Sequence, residues 1–445
     1  MKATHLARPL SFIVLALLTT FCTAAPPAQP TAGPADEVIE IRLMHQFTEG
    51  SQTQPILAEY TEKYMQAHPN VKVTWDWAGW EQFDQKMQAR IEAGDPPDAV
   101  FNSSPLIAVY ARQGLLQPID SALKEQNYEG DAVWADTFLS GLLQQAFVQD
   151  ASTGPGYYAV PVDMHISGLI YDKDMFARMN LQPPQTWADV VDLAEKFQAA
   201  GIIPFAQDGG YTPYNFRAFM YLAIRIGGET AFYDTCLHKD GFPWAGNPDW
   251  LKAAQEFQIL TTKYFQPGFL GSQWPAAQTE WANGKMAMMI IPTWLPSEML
   301  GTNVDAMKIG FVRFPAYPGG KGDQTATELK FNGFGVLKEA RQPQATLDFL
   351  KYLSSRQFQE VHSAQGLVPS PIEGVALPAQ LSDVTAMLAD HPKMIPMMDG
   401  IEGDAPEWMA NVAEPLIGEL AAGTMAPEAF IAELQAQSDA FYAKP

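Results

Sequence analysis

The chain has 445 residues, room for two or three domains at roughly 100–200 residues each. Lys and Arg total 28 against 50 Asp and Glu, a formal charge of −22. Such a surface repels phosphate backbones and anionic lipid, so nucleic acid is not expected as a partner; neutral or cationic ligands stay open. With 47% hydrophobic and 18% charged residues the composition is globular rather than disordered.

Lys2 and Arg8 precede an apolar run over 10–18. That is a charged region followed by a hydrophobic one, as in a signal peptide, and too short to span a bilayer as a mature helix. Cys22 follows directly, and a tract rich in Ala, Pro and Thr fills 23–35. Two readings compete. Cys22 carries a lipid and the tract is a tether, or the peptide is simply cleaved nearby, for example after Ala24. Phe21 is bulky where a small residue is usual, which counts against lipidation; the cysteine's position and the tether composition favour it. The expected organisation is a signal peptide over 1–22 and a tether over 23–36, giving an exported protein at the cell surface or in the periplasm. Lipid mass on Cys22, against a mature N-terminus at Ala25, separates the two readings. Cys236 has no partner for a disulfide and is read as a buried small hydrophobe. No later stretch is long and apolar enough for a transmembrane helix.

After Asp36, strand and helix patterns alternate. A strand over 38–44 precedes a helix over 55–68, with Ile56, Leu57, Tyr60 and Tyr64 at helical spacing. Val71, Val73, Trp75 and Trp77 alternate as in a strand; Trp75 and Trp77 share one face, expected to be core. Trp80, Phe83, Met87 and Ile91 mark the next helix, and 99–101 a buried strand. This β-α-β-α-β run implies an α/β fold with a largely parallel sheet. Further on, strands are expected at 157–161, 168–172, 202–205 and 286–291. Thr186 and Asp189 form an approximate capping box ahead of a helix ending at Gly201, with Trp187 packed inside. Helices are expected from 213 to Gly227-Gly228, and over 248–264, 275–283, 344–353, 355–364, 407–422 and 427–442. The 318–323 segment, PGGKGD, reads as a solvent turn between two strands.

The seven histidines form no H-E-x-x-H or other tight metal pair, and one cysteine in the body excludes a Cys-based zinc site. There is no G-x-S-x-G elbow and no phosphate-binding G-x-x-x-x-G-K-[ST] loop. Asp172 and Asp174 are a surface pair. No catalysis, metal or cofactor is therefore expected. A glycosidase stays open, because it needs only two carboxylates ~5–10 Å apart in space.

Four segments, in order, carry a family resemblance: AGDPPDAVF at 93–101 with YARQGLL at 110–116; AVPVDMHISGLIYDKDMF, PPQTWADVVDLAEKF and GIIPFA within 159–206; WANGKMAMMIIPTW at 281–294; and QATLDFLKYLSS at 344–355 with GLVPS just after. Their joint order resembles the bacterial extracellular solute-binding proteins of the maltose-binding-protein type, from about residue 38 to the end. The resemblance implies a two-lobed, periplasmic-binding-protein-like α/β fold. The chain would cross between lobes three times, near 161–165, 329–333 and 364–371. Lobe 1 would hold 37–162 and 333–365, and lobe 2 would hold 163–332 and 366–445. It further implies a ligand held between lobes that close by a hinge, and membrane permeases of an ABC importer as partners. A monomer is expected.

Sugars present hydroxyl rims and apolar C–H faces, so a sugar site needs aromatic platforms and planar hydrogen-bonding groups. On the resemblance, contacts come from loops at the carboxyl ends of strands. The matching positions are His45, Gln46 and Glu49; Asn102 and Ser103; Asp163 and His165; Thr212, Tyr214 and Asn215; Trp294; Asn332; and Trp408 in a late helix. Trp80 begins a helix and reads as core or cleft. Trp294 and Tyr214 are expected as opposing parts of one platform. The maltose binder's site uses several carboxylates and a lysine near its first strand, whereas the matching loop here is His45-Gln46-Phe47-Thr48-Glu49, which leaves the sugar, mono- or oligosaccharide, open. Other solutes on this fold would be glycerol phosphate, a polyamine or iron. A phosphate would want cleft Arg or Lys, and few match; iron would want clustered Tyr and His.

Overall fold

The computed structural model describes residues 38–443 apart from 52, 140 and 304–308. The expected signal peptide, tether and Cys22 lie outside the described residues.

The β-α-β-α-β run is present as β1 (Ile39–His45), the helix Gln54–Ala67, β2 (Val71–Trp77), the helix Phe83–Glu92 and β3 (Ala99–Ser103). β1 pairs in parallel with both β2 and β3. Ile56, Leu57, Tyr60 and Tyr64 line the buried stripe of the first helix. Trp75 and Trp77 stack at 5.5 Å and are half-buried against that core. β4 (Phe147–Val148) and β5 (Gly156–Tyr157) form a small hairpin.

β6 (Val160–Asp172) is one thirteen-residue strand, buried throughout, where the sequence suggests two short ones. Asp163, His165 and Ser167 break the apolar pattern. They fall on alternate positions, however, so they share one face and leave Met164 and Ile166 on the other. Then come β7 (Ile203–Phe205), β8 (Met286–Pro292), β9 (Ile309–Val312), β10 (Thr327–Val336) and β11 (Met394–Ile395). β10 runs antiparallel to β6, with a bulge between Asn332 and Gly333. The end of β10 from Asn332 onward pairs with β3, whereas the Ser167–Asp172 end of β6 pairs with β8 and β9. β7 lies parallel to β8, and β11 parallel to the start of β10. The hydrogen-bonded order is β2-β1-β3-β10-β6-β8-β7, so the sheet is mixed rather than largely parallel.

β6 thus passes from the β1–β3 half into the β7–β9 half, and β10 returns beside it in the opposite direction. Asp163 and His165 lie opposite Asn332 and Lys330. A third passage comes later than expected. Ile372 still bridges Phe138 in the first half, whereas the Asp383 carboxylate accepts from Lys173 and from the Phe311 N–H in the second. The chain therefore changes halves between 372 and 383, not over 364–371.

Local chemistry explains most of the helices. Thr186 and Asp189 make a complete capping box at the start of Trp187–Ala199, and Trp187 stacks on Phe314 at 5.7 Å in the core. The helix expected over 407–422 instead runs Pro406–Trp408, a π-helical turn Met409–Ala413, and Glu414–Ala421. Pro415 has no N–H to give the ladder, which forces the wider turn. The 318–323 turn is not free in solvent. A Cβ on Gly320 or Gly322 would lie 2.1 Å or 1.9 Å from the Arg225 or Ile224 carbonyl oxygen, so glycine permits the close approach. Cys236 is buried and unpaired.

Candidate functional site

β1, β2 and β3 end on one edge of their half, and the parallel strands β7 and β8 end on the corresponding edge of theirs. The loops leaving these ends meet at the polar face of the two passing strands. On β6 that face carries Asp163, His165 and Ser167; on β10 it carries Glu328, Lys330 and Asn332, again at alternate positions. All six are buried.

Asp163 Oδ1 lies 3.0 Å from His165 Nε2 and accepts the Asn332 Nδ2 hydrogen at 2.8 Å. Burial opposes the charge on Asp163, but His165, His362 and Lys330 together outweigh it and keep its carboxyl below the usual range. Burial lowers the His165 pKa, against the pull of the Asp163 carboxylate.

The helix Thr212–Gly227 brings Tyr214, Arg217 and Tyr221 alongside β10 at spacings of three and four residues. Arg217 donates its Nε hydrogen to Glu328 Oε2 at 2.9 Å, and both groups are buried. The second oxygen of Glu328 accepts the Met398 N–H at 2.6 Å. The strand β8 delivers Trp294, half-buried, into this group. Lys330 Nζ lies 4.5 Å from its ring centre, Arg217 Cζ 5.2 Å, and the His165 ring 5.5 Å. Burial lowers the Lys330 pKa.

Tyr214 and Trp294 are near-parallel at 6.3 Å between centroids, and Tyr211 meets Tyr214 edge-on at 4.9 Å. A pyranose needs about 7–8 Å between two ring planes, two van der Waals contacts of ~3.5–4 Å each. Tyr214 and Trp294 are therefore not opposing walls, as expected from the sequence, but neighbours on one aromatic surface.

Several buried polar atoms here have no partner among the described residues: Arg217 Nη1 and Nη2, Trp294 Nε1, His165 Nδ1, Asn332 Oδ1 and Glu402 Oε2. Each such atom costs about 1–3 kcal/mol unless something bonds it. Grouped on a polar strand face beside an aromatic surface, they describe a recognition site for a ligand rich in donors and acceptors.

The remaining predicted residues divide. Gln46, on the loop after β1, and Ser103, the last residue of β3, are buried with Oε1 and Oγ unpartnered. Asn102 is committed to the Tyr110 hydroxyl and the Ser103 N–H. His45 is sealed between Phe101 and Trp77, at 4.1 and 4.7 Å, accepts the Phe47 N–H, and has its pKa pushed down by burial to about 3. Asn215 turns its Nδ2 to the Gly209 carbonyl. Thr212 is exposed and bonds Glu414; Glu49 and Trp80 are exposed. Trp408 is corrected: it is core, stacked on Trp244 at 6.1 Å, with its N–H given to Ser438 Oγ at 2.9 Å, so it has nothing left for a ligand. Sequence reasoning missed Arg217, Glu328, Lys330, Glu298 and Glu402. For Glu328 and Lys330 the signal was the alternation of charged residues in TELKFN, since a charge inside an otherwise apolar strand needs a reason.

Among the described residues four carboxyls hold protons more tightly than usual; burial raises Glu402 and Glu414, and it raises Glu298 and Asp399 further. Burial pushes Glu298, beside Tyr214, up to about 7. Burial, with Glu229 and Glu328 nearby, pushes Asp399 up to about 8. A carboxyl whose folded-state pKa is raised stabilises the fold at low pH, and that contribution is lost as pH rises through the folded value. The melting temperature of the unliganded protein should therefore fall between about pH 6.5 and pH 8.5, above the range in which the lowered pKa values of buried His45, His165 and His362 make stability rise with pH. The Glu298→Gln, Asp399→Asn double variant should flatten that fall; an unchanged slope in the variant would reject the assignment.

Residues 46–360 match the family model described as bacterial extracellular solute-binding protein. The chain belongs to that family. It is 23% identical to an ABC transporter extracellular-binding protein of Pyrococcus horikoshii over 91% of this chain and 84% of that one. It is 25% identical to the diacetylchitobiose binding protein NgcE of Streptomyces coelicolor, over 68% of this chain and 64% of that one. Among solved structures, a chitin oligosaccharide binding protein superimposes with a TM-score of 0.75 at 21% identity, over 91% of this chain and 99% of that one. The fold is therefore the two-lobed one of such receptors.

Proposed function

We propose that this chain is the extracytoplasmic receptor of an ABC importer, that it captures a carbohydrate between its two halves, and that it releases the sugar unaltered to membrane permeases. The observation that carries this reading is the Trp294–Tyr214 aromatic surface set against unpartnered buried donors and acceptors on β6, β10 and the Thr212–Gly227 helix. A sugar offers an apolar C–H face to the first and a rim of hydroxyls to the second. The two relatives whose names specify chitin-derived sugars support the same class of ligand. Lipidation of Cys22 would anchor such a receptor at the membrane.

Arg217 and Lys330 reopen the anionic alternative, since the sequence suggested few cleft cations. Charge balance argues against it. Arg217 is already paired with Glu328, and Lys330 sits in the fields of Glu402, Asp163 and Glu298. A neutral polyol needs no counter-charge there.

Prolonged incubation with saccharides, followed by mass analysis of the recovered ligand, tests the absence of turnover. Recovery of the sugar intact from a stoichiometric complex is expected; hydrolysed or otherwise altered sugar would make the protein an enzyme.

A further inference from the structure

The chain has eleven tryptophans. Two are exposed, Trp80 at 40% and Trp274 at 52%; the others are buried or half-buried. Trp80 opens the 3-10 turn Trp80–Gln82, and Trp274 stands on a loop one hydrogen bond from Glu298. Trp80 follows β2. Trp274 stands on the 269–275 segment, which is fastened to the loop after β7. Gly209 and Gly210 donate their N–H groups to the Phe269 and Ser272 carbonyls at 3.0 and 2.9 Å, and Asp208 accepts from the Ser272 hydroxyl and the Ala277 N–H at 2.8 Å each. A Cβ on Gly210 would meet the Ser272 oxygen at 2.8 Å, so the two segments fit backbone to backbone.

Trp274 is thus placed rather than loose. Its indole N–H donates to Glu298 Oε2 at 3.2 Å. Glu298 belongs to the short helix Leu295–Glu298 that begins directly after Trp294, and its field reaches Tyr214. From Trp294 the aromatic surface runs through Tyr214 to Tyr211, and Glu298 joins Trp274 to that row. Beyond buried Tyr214 exposure rises, through half-buried Tyr211 to Trp274. An indole held in place by its N–H, with its ring open to water, presents an apolar plane that a C–H face of a sugar covers favourably.

We propose that Trp274 is an outer sugar subsite, and hence that the ligand is an oligosaccharide, with an inner unit on Trp294 and Tyr214 and an outer unit on Trp274. This rests on the carbohydrate reading above. Glu298 is a positioning residue that fixes the angle of the ring. A monosaccharide fills the inner surface and leaves Trp274 uncovered.

Calorimetric titration of the whole protein with three series tests it: xylose to xylotetraose, N-acetylglucosamine to its tetramer, and galactose to raffinose. In the series that binds, affinity should rise about tenfold or more from the shortest ligand bound to the longest. Trp274→Ala should abolish most of that rise while leaving the shortest ligand within about twofold, and Trp274→Phe should restore part of it. The unliganded melting temperature should be unchanged, because the ring is exposed. Equal wild-type affinity for monomer and oligomer, or an unaltered rise in Trp274→Ala, would overturn the outer subsite and leave the carbohydrate reading intact. Failure of every series at every length would remove the carbohydrate reading, and this inference with it.

Discussion

Trp294→Ala should weaken ligand binding by about 5- to 150-fold, a loss of ~1–3 kcal/mol, while the unliganded protein stays folded. The ring sits where β8 ends, half-buried, with its N–H unpartnered and its faces against Lys330, Arg217, His165 and Tyr214. Among the described residues the indole nitrogen has no close acceptor beyond the Tyr214 hydroxyl, whereas Trp408 and Trp134 each give theirs to a buried serine. A sugar stacked on this ring would remove apolar area from water and offer an acceptor to the nitrogen. The opposite assignment, Trp294 as core, makes a different prediction: truncation would cost roughly 3–5 kcal/mol of folding stability. Both quantities can be measured on one variant. Unchanged affinity with a large fall in unliganded melting temperature would defeat the platform assignment.

Arg217→Ala should be the most damaging single change at the site. It leaves the Glu328 carboxylate buried without its counter-charge, at an expected cost of roughly 3–5 kcal/mol in folding stability, and removes two unpartnered donors beside Trp294. The Met398 N–H and the Tyr221 hydroxyl also converge on Glu328, the first on its side chain and the second on its backbone N–H, so β10 would lose the pin that aligns its polar face. Arg217→Met combined with Glu328→Gln removes both charges together and should recover much of the stability but none of the binding. Denaturant unfolding of the three variants separates the effects. A loss under about 1 kcal/mol for Arg217→Ala would mean the pair is not holding the strand.

How much of this was legible in the sequence depends on whether the signal was local. The β1–β3 run, the Thr186 capping box and the helix Pro427–Tyr442 follow from periodicity and capping chemistry, which act within a few residues. The passing strands were only half legible. A strand that changes environment midway carries polar residues on one face, and read linearly Asp163, His165 and Ser167 look like a break rather than a face. The same blindness hid Glu328 and Lys330 and the helix position of Arg217, although the alternation was there to be read. Asp163, His165, Tyr214, Trp294 and Asn332 were singled out through a family resemblance, and the structure brings them together. Trp408 was misplaced because nothing local says that Trp244 and Ser438 will enclose it. The late third passage had the same cause: the Phe138–Ile372 bridge joins segments far apart in sequence.

Thermal melting of the purified protein with and without saccharides tests the central claim most directly. A ligand at about 100 times its dissociation constant adds about 2.7 kcal/mol to the stability of the native state, a clear rise in melting temperature. The account predicts that rise with at least one neutral oligosaccharide, and its loss at the same concentration in Trp294→Ala. No rise with any saccharide, alongside a rise with a phosphate ester, a polyamine or iron, would contradict it.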